Sequence, residues 1–143
     1  MKLGFIGLGI MGTPMAGHLR AAGHDLFVAT RSKPPQTLID AGAVACANAA
    51  EVARRADTVF IMVPDTPDVQ AVLFGKNGGC DGLAAGKTVV DMSSISPIET
   101  KAYALRINEL GCDYLDAPVS GGEVGAKAGS LTIMCGGDEA VFE

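Results

Sequence analysis

Apolar and polar positions along the chain follow two alternating rhythms. Short, nearly unbroken apolar runs recur at Lys2–Ile6, Asp25–Thr30, Thr58–Val63, Thr88–Met92, Asp113–Asp116 and Ser130–Cys135, with a very short one at Ala43–Ala45. Runs such as TVFIMV and TVVDM have no polar face, the pattern of strands covered on both sides of a parallel sheet. Between them lie longer stretches with helical spacing, at Met11–Ala22, Pro35–Ala41, Asn48–Ala56, Pro67–Leu73 and Ile98–Leu110. This alternation predicts an α/β fold of the Rossmann type: a doubly wound, mainly parallel sheet with crossover helices. Gly23, Gly42 and Gly111 each stand just past a predicted helix, where a left-handed residue closes the last turn. Thr66, Pro67 and Asp68 make a helix start: a capping hydroxyl, a residue with no amide donor, and an acid at the positive end. In GGDEAVFE a last helix is expected to begin with Asp138 as its cap and to be still running at Glu143.

Composition narrows the partners. In 143 residues, 48% apolar and 19% charged, one core is expected and disorder is excluded. The net charge of −5 and the absence of clustered Lys and Arg exclude a nucleic-acid surface, leaving a small molecule as the expected partner. Cys46, Cys80, Cys112 and Cys135 match neither a zinc pattern nor a C-x-x-C pair, so reduced, partly buried thiols and no metal are expected. No apolar stretch reaches the roughly 18 residues of a membrane span. The opening MKLGFIGLGIMG is broken by glycines into strand and turn rather than forming a signal segment, and a cytoplasmic location is expected.

The chemistry-bearing motif is FIGLGIMGTPMAGHL, with Gly7, Gly9 and Gly12 spaced G-x-G-x-x-G between the first strand and the first helix. Gly7 allows a tight turn, Gly9 lets backbone approach a pyrophosphate, and Gly12 lets helix and strand pack closely. The free N–H groups of the helix start then face the phosphates, and Pro14 falls in the first turn where its missing N–H costs little. At the end of the second strand, FVATRSK places Thr30 where an acid would bind the ribose of NAD. Arg31, Ser32 and Lys33 instead suit a 2′-phosphate, so NADP is the expected cofactor, with NAD the alternative.

Together, GFIGLGIMGTPMAGHL, DMSSISP and LDAPVSGGEVGAKAGSLTIMCGG resemble the signatures of the β-hydroxyacid dehydrogenases, across essentially the whole chain. The resemblance implies an oxidoreductase that moves a hydride between a nicotinamide and the carbon bearing a 3-hydroxyl or 3-oxo group of a small carboxylic acid. By motif, Gly7, Leu8, Gly9, Ile10, Met11 and Gly12 would hold the pyrophosphate and Arg31 would sit by the adenosine ribose. Val63, Pro64 and Asp65 would line the adenine side, and Ser94 would approach the nicotinamide. Ser120, Gly121 and Gly122 would bind the substrate carboxylate.

The physical reading of that last loop is a hydroxyl beside bare amides, a small anion nest, with an ordinary glycine-rich turn left open. The resemblance also implies a helical second domain that supplies a catalytic lysine, beyond Glu143, and forms a homo-oligomer. On that footing residues 1–143 are a Rossmann domain ending before its last strand, with no catalytic residue of their own. A non-catalytic NAD(P)-binding module remains the alternative. Lys127 is expected to be a solvated turn residue, His18 and His24 surface or packing residues, and Asp91 and Asp116 structural. 6-Phosphogluconate dehydrogenases and imine reductases share the glycine fingerprint, but the loop at Ser120 supplies no basic residue for a sugar phosphate apart from Lys127.

Overall fold

The computed structural model describes residues 1–31 and 33–142. Strands β1 (Lys2–Ile6), β2 (Asp25–Ala29), β3 (Val44–Ala45), β4 (Thr58–Ile61), β5 (Thr88–Asp91) and β6 (Asp113–Asp116) form one six-stranded sheet in the order β3-β2-β1-β4-β5-β6. Every neighbouring pair in it is parallel. The chain therefore winds outward in both directions from β1, and the order reverses between β1 and β4. In such sheets the ligand crevice opens beyond the carboxyl ends of the strands at this reversal.

Successive residues of a strand face opposite sides, and the two cores follow that alternation. Phe27 and Ala29 of β2 join Val59 and Ile61 of β4 in a core closed by Val52, Val69, Tyr103 and Ile107. Those four lie on α3 (Ala49–Arg55), α4 (Thr66–Phe74) and α5 (Pro97–Glu109). Leu26 and Val28 join Leu3 and Phe5 in the other core, closed by Met15 and Leu38 of α1 (Gly12–Ala21) and α2 (Gln36–Asp40). The doubly wound architecture read from the apolar runs is thus observed, and Gly23, Gly42 and Gly111 take φ of +94, +106 and +78° as helix-closing residues.

Three local expectations change. The cap of α4 is Asp65 rather than Thr66: its Oδ1 accepts the Thr66 N–H at 2.7 Å, while Thr66 Oγ1 accepts from Ser96 N at 3.3 Å. The run Ser130–Cys135 is not a buried strand. Only Thr132–Ile133 (β8) is extended, and it pairs antiparallel with Val119–Ser120 (β7) in a separate, exposed two-stranded sheet. Between them the glycine-rich segment winds into α6 (Gly122–Ala128), closed by Gly129 at φ +69°. Ala126 buries itself in the α1-side core while Lys127 Nζ pairs with Glu123 at 2.8 Å on the outer face. Lys127 is therefore a helical, ion-paired residue, not a turn residue.

A final helix, α7 (Glu139–Phe142), starts after Asp138, whose Oδ1 accepts the Ala140 N–H at 2.9 Å, as the expected cap should. Glu143, expected to continue this helix, lies outside the described residues. The four thiols are free, with Cys112 buried, Cys46 and Cys80 half-buried, and Cys135 exposed rather than partly buried as expected. No helix among the described residues is long and apolar enough to cross a membrane.

Candidate dinucleotide crevice

The turn from β1 into α1 is held by the end of β2 and by a side chain of α1. Gly7 N–H donates to Ala29 O at 3.1 Å, and Thr13 Oγ1–H donates to Leu8 O at 2.9 Å. Gly7 sits at φ +97°, where a Cβ would lie 2.1 Å from Met62 O, and a Cβ on Gly12 would lie 1.8 Å from Gly7 O. Both glycines are therefore required by the packing of helix, turn and strand. Gly9 is different: its φ is not left-handed, and a Cβ there would meet no atom of the protein within 4 Å.

Above Gly9 the amides are free. Among the described residues no hydrogen bond is donated by the N–H groups of Gly9, Ile10, Met11 or Gly12, and no side chain caps α1. Unpaired amides at the start of a ten-residue helix, with its dipole behind them, form an anion site.

These amides form one wall of a crevice of about 730 Å³. Of the residues expected at a cofactor site, Gly7 to Gly12, Arg31, Val63, Pro64 and Ser94 line it. Asp65 does not, because its carboxylate is spent on capping α4. Ser32 lies outside the described residues. Thr30 occupies the position of the missing acid, and its Oγ1 faces Leu8 N at 3.5 Å. Sequence reasoning missed the far wall, where Ala71 and Val72 of α4 stand near Ala47 to Ala49 and Lys76 to Gly78. The signal there was N-x-x-E: Asn48 Oδ1 accepts Glu51 N–H at 2.9 Å while Glu51 Oε2 accepts Ala47 N–H at 2.7 Å, fixing the start of α3 against the crevice.

The strand ends that carry Val63 and Ser94 are held by a buried network also missed at the sequence level. Asp91, fully buried, accepts Ser93 N–H at 3.0 Å through Oδ1 and the Tyr114 hydroxyl at 2.8 Å through Oδ2. Ser93 Oγ in turn accepts Val63 N–H at 2.9 Å, joining β5 to the crevice wall after β4. Burial, only partly offset by these donors, pushes the Asp91 carboxyl up, and burial beside Asp91 pushes the Tyr114 phenol up strongly. Asp116, in register with Asp91 across β5 and β6, is also raised, by burial first and by the Asp91 charge second. Both acids are woven into strand ends, as expected of structural residues; Asp116 exchanges backbone hydrogen bonds with Gly136 at 2.9 and 2.6 Å.

His18 has a packing role: Nε2–H donates to Ala126 O at 2.8 Å and lies 3.1 Å from Lys127 O, tying α1 to the end of α6. His24 Nδ1 meets the N-terminal ammonium at 3.4 Å. Ser120, Gly121 and Gly122 do not line the crevice. Gly121 and Gly122 have φ of +131 and +59°, so the turn from β7 into α6 itself demands glycine there.

A reversal of strand order, a bare glycine turn and free helix-start amides define a dinucleotide-binding domain of Rossmann type. The family model for the NAD binding domain of 6-phosphogluconate dehydrogenase matches residues 2–143, and the chain belongs to this family. The resemblance to β-hydroxyacid dehydrogenases read from the motifs is borne out by its relatives. The chain is 63% identical over 143 residues to 2-hydroxy-3-oxopropionate reductase of Escherichia coli, covering 100% of the chain and 49% of the reductase. It is 45% identical over 144 residues to 2-(hydroxymethyl)glutarate dehydrogenase of Eubacterium barkeri, covering 100% of the chain and 48% of that enzyme. Among solved structures, Psf3 in complex with NADP+ and 2-OPP superposes with a TM-score of 0.92 at 32% identity, over 98% of this chain and 50% of Psf3. The 3-hydroxyisobutyrate dehydrogenase of Mycobacterium tuberculosis gives a TM-score of 0.90 at 30% identity, over 99% and 48%. The chain thus spans about half the length of the relatives it matches.

Proposed function

We propose that this chain is the cofactor-binding part of an NADP(H)-dependent reductase that interconverts tartronate semialdehyde (2-hydroxy-3-oxopropionate) and D-glycerate. Gly9 carries the reading. It is a glycine that neither the turn nor the packing requires, set at free amides, and the close approach of a phosphate accounts for it. The 63% identity to the reductase of Escherichia coli supports the choice of substrate, and the complex of Psf3 with NADP+ supports the cofactor.

In this reading the amides of Gly9 to Gly12 receive the pyrophosphate, and Val63, Pro64, Ala71 and Val72 present the apolar wall for the adenine. Arg31 faces the 2′-phosphate and Ser94 the nicotinamide end. When bound, the reduced cofactor supplies the hydride that the aldehyde carbon accepts. Ser120, Gly121 and Gly122 orient the substrate carboxylate, and a lysine beyond Glu143 gives the proton to the oxygen. The whole protein is cytoplasmic and homo-oligomeric through a helical domain.

The test is a pair of measurements. NADPH and NADH are titrated against the chain, and tartronate semialdehyde turnover is followed for the chain and for the protein extended through the helical domain. Binding by both, with turnover only by the longer protein, is expected. Absence of dinucleotide binding overturns the cofactor assignment, and appreciable turnover by the 143-residue chain overturns the placement of the proton donor.

A further inference from the structure

At the mouth of the crevice, the guanidinium of Arg31 does not stand free. Its Nη2–H donates to Asp68 Oδ1, so the side chain reaches from the end of β2 to the first turn of α4. Both residues line the crevice, and the pair is lopsided: the arginine side chain is 85% exposed and the aspartate 19%. Asp68 is not needed as the cap of α4, since Asp65 fills that place and the Asp68 N–H itself closes on Asp65 O at 3.0 Å. Its carboxylate is thus an anion placed on the crevice-lining cation that a 2′-phosphate would seek just past β2.

We infer that Asp68 is a specificity-determining residue for the dinucleotide, setting how strongly the chain prefers the 2′-phosphorylated form; the inference rests on the cofactor reading above. A 2′-phosphate must draw Arg31 away from a partner it already holds, and once beside the guanidinium it stands close to a like charge. The 2′-hydroxyl of the unphosphorylated dinucleotide meets neither cost. Among the described residues, Lys76 is the other cation that lines the crevice. Asp68 therefore subtracts from a positive mouth and keeps the unphosphorylated cofactor competitive. Like-charge juxtaposition of this kind is a common device of discrimination.

NADPH and NADH are titrated by fluorescence against the full-length protein and its D68N, R31A and R31A/D68N variants at low and high salt, with melting curves to establish that each is folded. Asn is close in shape to Asp, so α4 keeps its first turn. For D68N, NADPH binding should tighten by about tenfold at low salt while NADH stays within about twofold, and the gain should shrink as salt screens it. R31A should weaken NADPH selectively, and D68N should help less on that background than on the wild type. An unchanged NADPH to NADH ratio in folded D68N, or weaker NADPH binding there, overturns the inference while leaving the cofactor assignment intact. Failure of the wild-type protein to bind either dinucleotide removes the cofactor assignment and this inference with it.

Discussion

Gly9→Ala separates a glycine kept for a ligand from one kept for the fold. A methyl group at Gly9 would meet nothing within 4 Å, and the backbone there is not left-handed. Folding stability should therefore hold or rise by up to about 1 kcal/mol, because alanine has fewer unfolded conformations to lose. Dinucleotide affinity should fall. The methyl enters the space in which a phosphate would reach the amides of Gly9 to Gly12, and losing one charge-assisted hydrogen bond, at about 1.5–3 kcal/mol, costs roughly ten- to two-hundred-fold. Gly12→Ala gives the opposite pattern in stability: its Cβ would lie 1.8 Å from Gly7 O, and helix or turn must move. Overpacking of that kind costs about 1–3 kcal/mol. Urea denaturation and cofactor fluorescence titration on the two variants read both axes. A folded Gly9→Ala variant that binds NADPH as tightly as wild type refutes the ligand reading of Gly9.

Two further outcomes follow from the buried network behind the crevice. Ser93→Ala removes the acceptor of Val63 N–H, and leaving that donor unmet should cost about 1–3 kcal/mol in urea denaturation, with weaker cofactor binding because Val63 lines the crevice; unaltered stability would show the amide is satisfied in another way. Burial holds the Asp91 carboxyl above its ordinary 3.8, so the folded chain keeps that proton to higher pH than the unfolded chain does. The stability this group contributes is full below the ordinary value and is lost as pH rises through the folded one. Asp91→Asn abolishes the titration, so the stability of wild type relative to the variant should be greatest in acid and shrink towards neutral pH; a difference that grows towards neutral pH contradicts the assignment.

The main sheet was legible because burial on both faces leaves an unmistakable mark. TVFIMV and TVVDM have no polar side to give a helix, and each ends at the sheet edge where the crevice opens. The same criterion failed at LTIMC. Apolar β-branched residues signal extended backbone but do not name the surface that covers it, and here Thr132 and Ile133 pair with β7 on the outside of the domain. In the segment before it, the dominance of glycine predicts a turn where the chain forms α6. Local propensity gave way to one tertiary fact, the burial of Ala126 beneath α1, reinforced by the hydrogen bond from His18 to the end of α6.

Glycine sets the limit on reading the site itself. G-x-G-x-x-G and S-G-G both present bare backbone after a parallel strand, and composition treats them alike. Coordinates divide them by what a Cβ would meet. At Gly7, Gly12 and Gly121 the answer is the protein's own atoms or a left-handed backbone; at Gly9 it is open space. Gly122 has open space as well, but at φ +59° its conformation already accounts for the residue. Only Gly9 combines an ordinary backbone with unfilled room beside free amides, so the phosphate site rests on a position the fold leaves unexplained. The carboxylate site rests on positions the fold does explain.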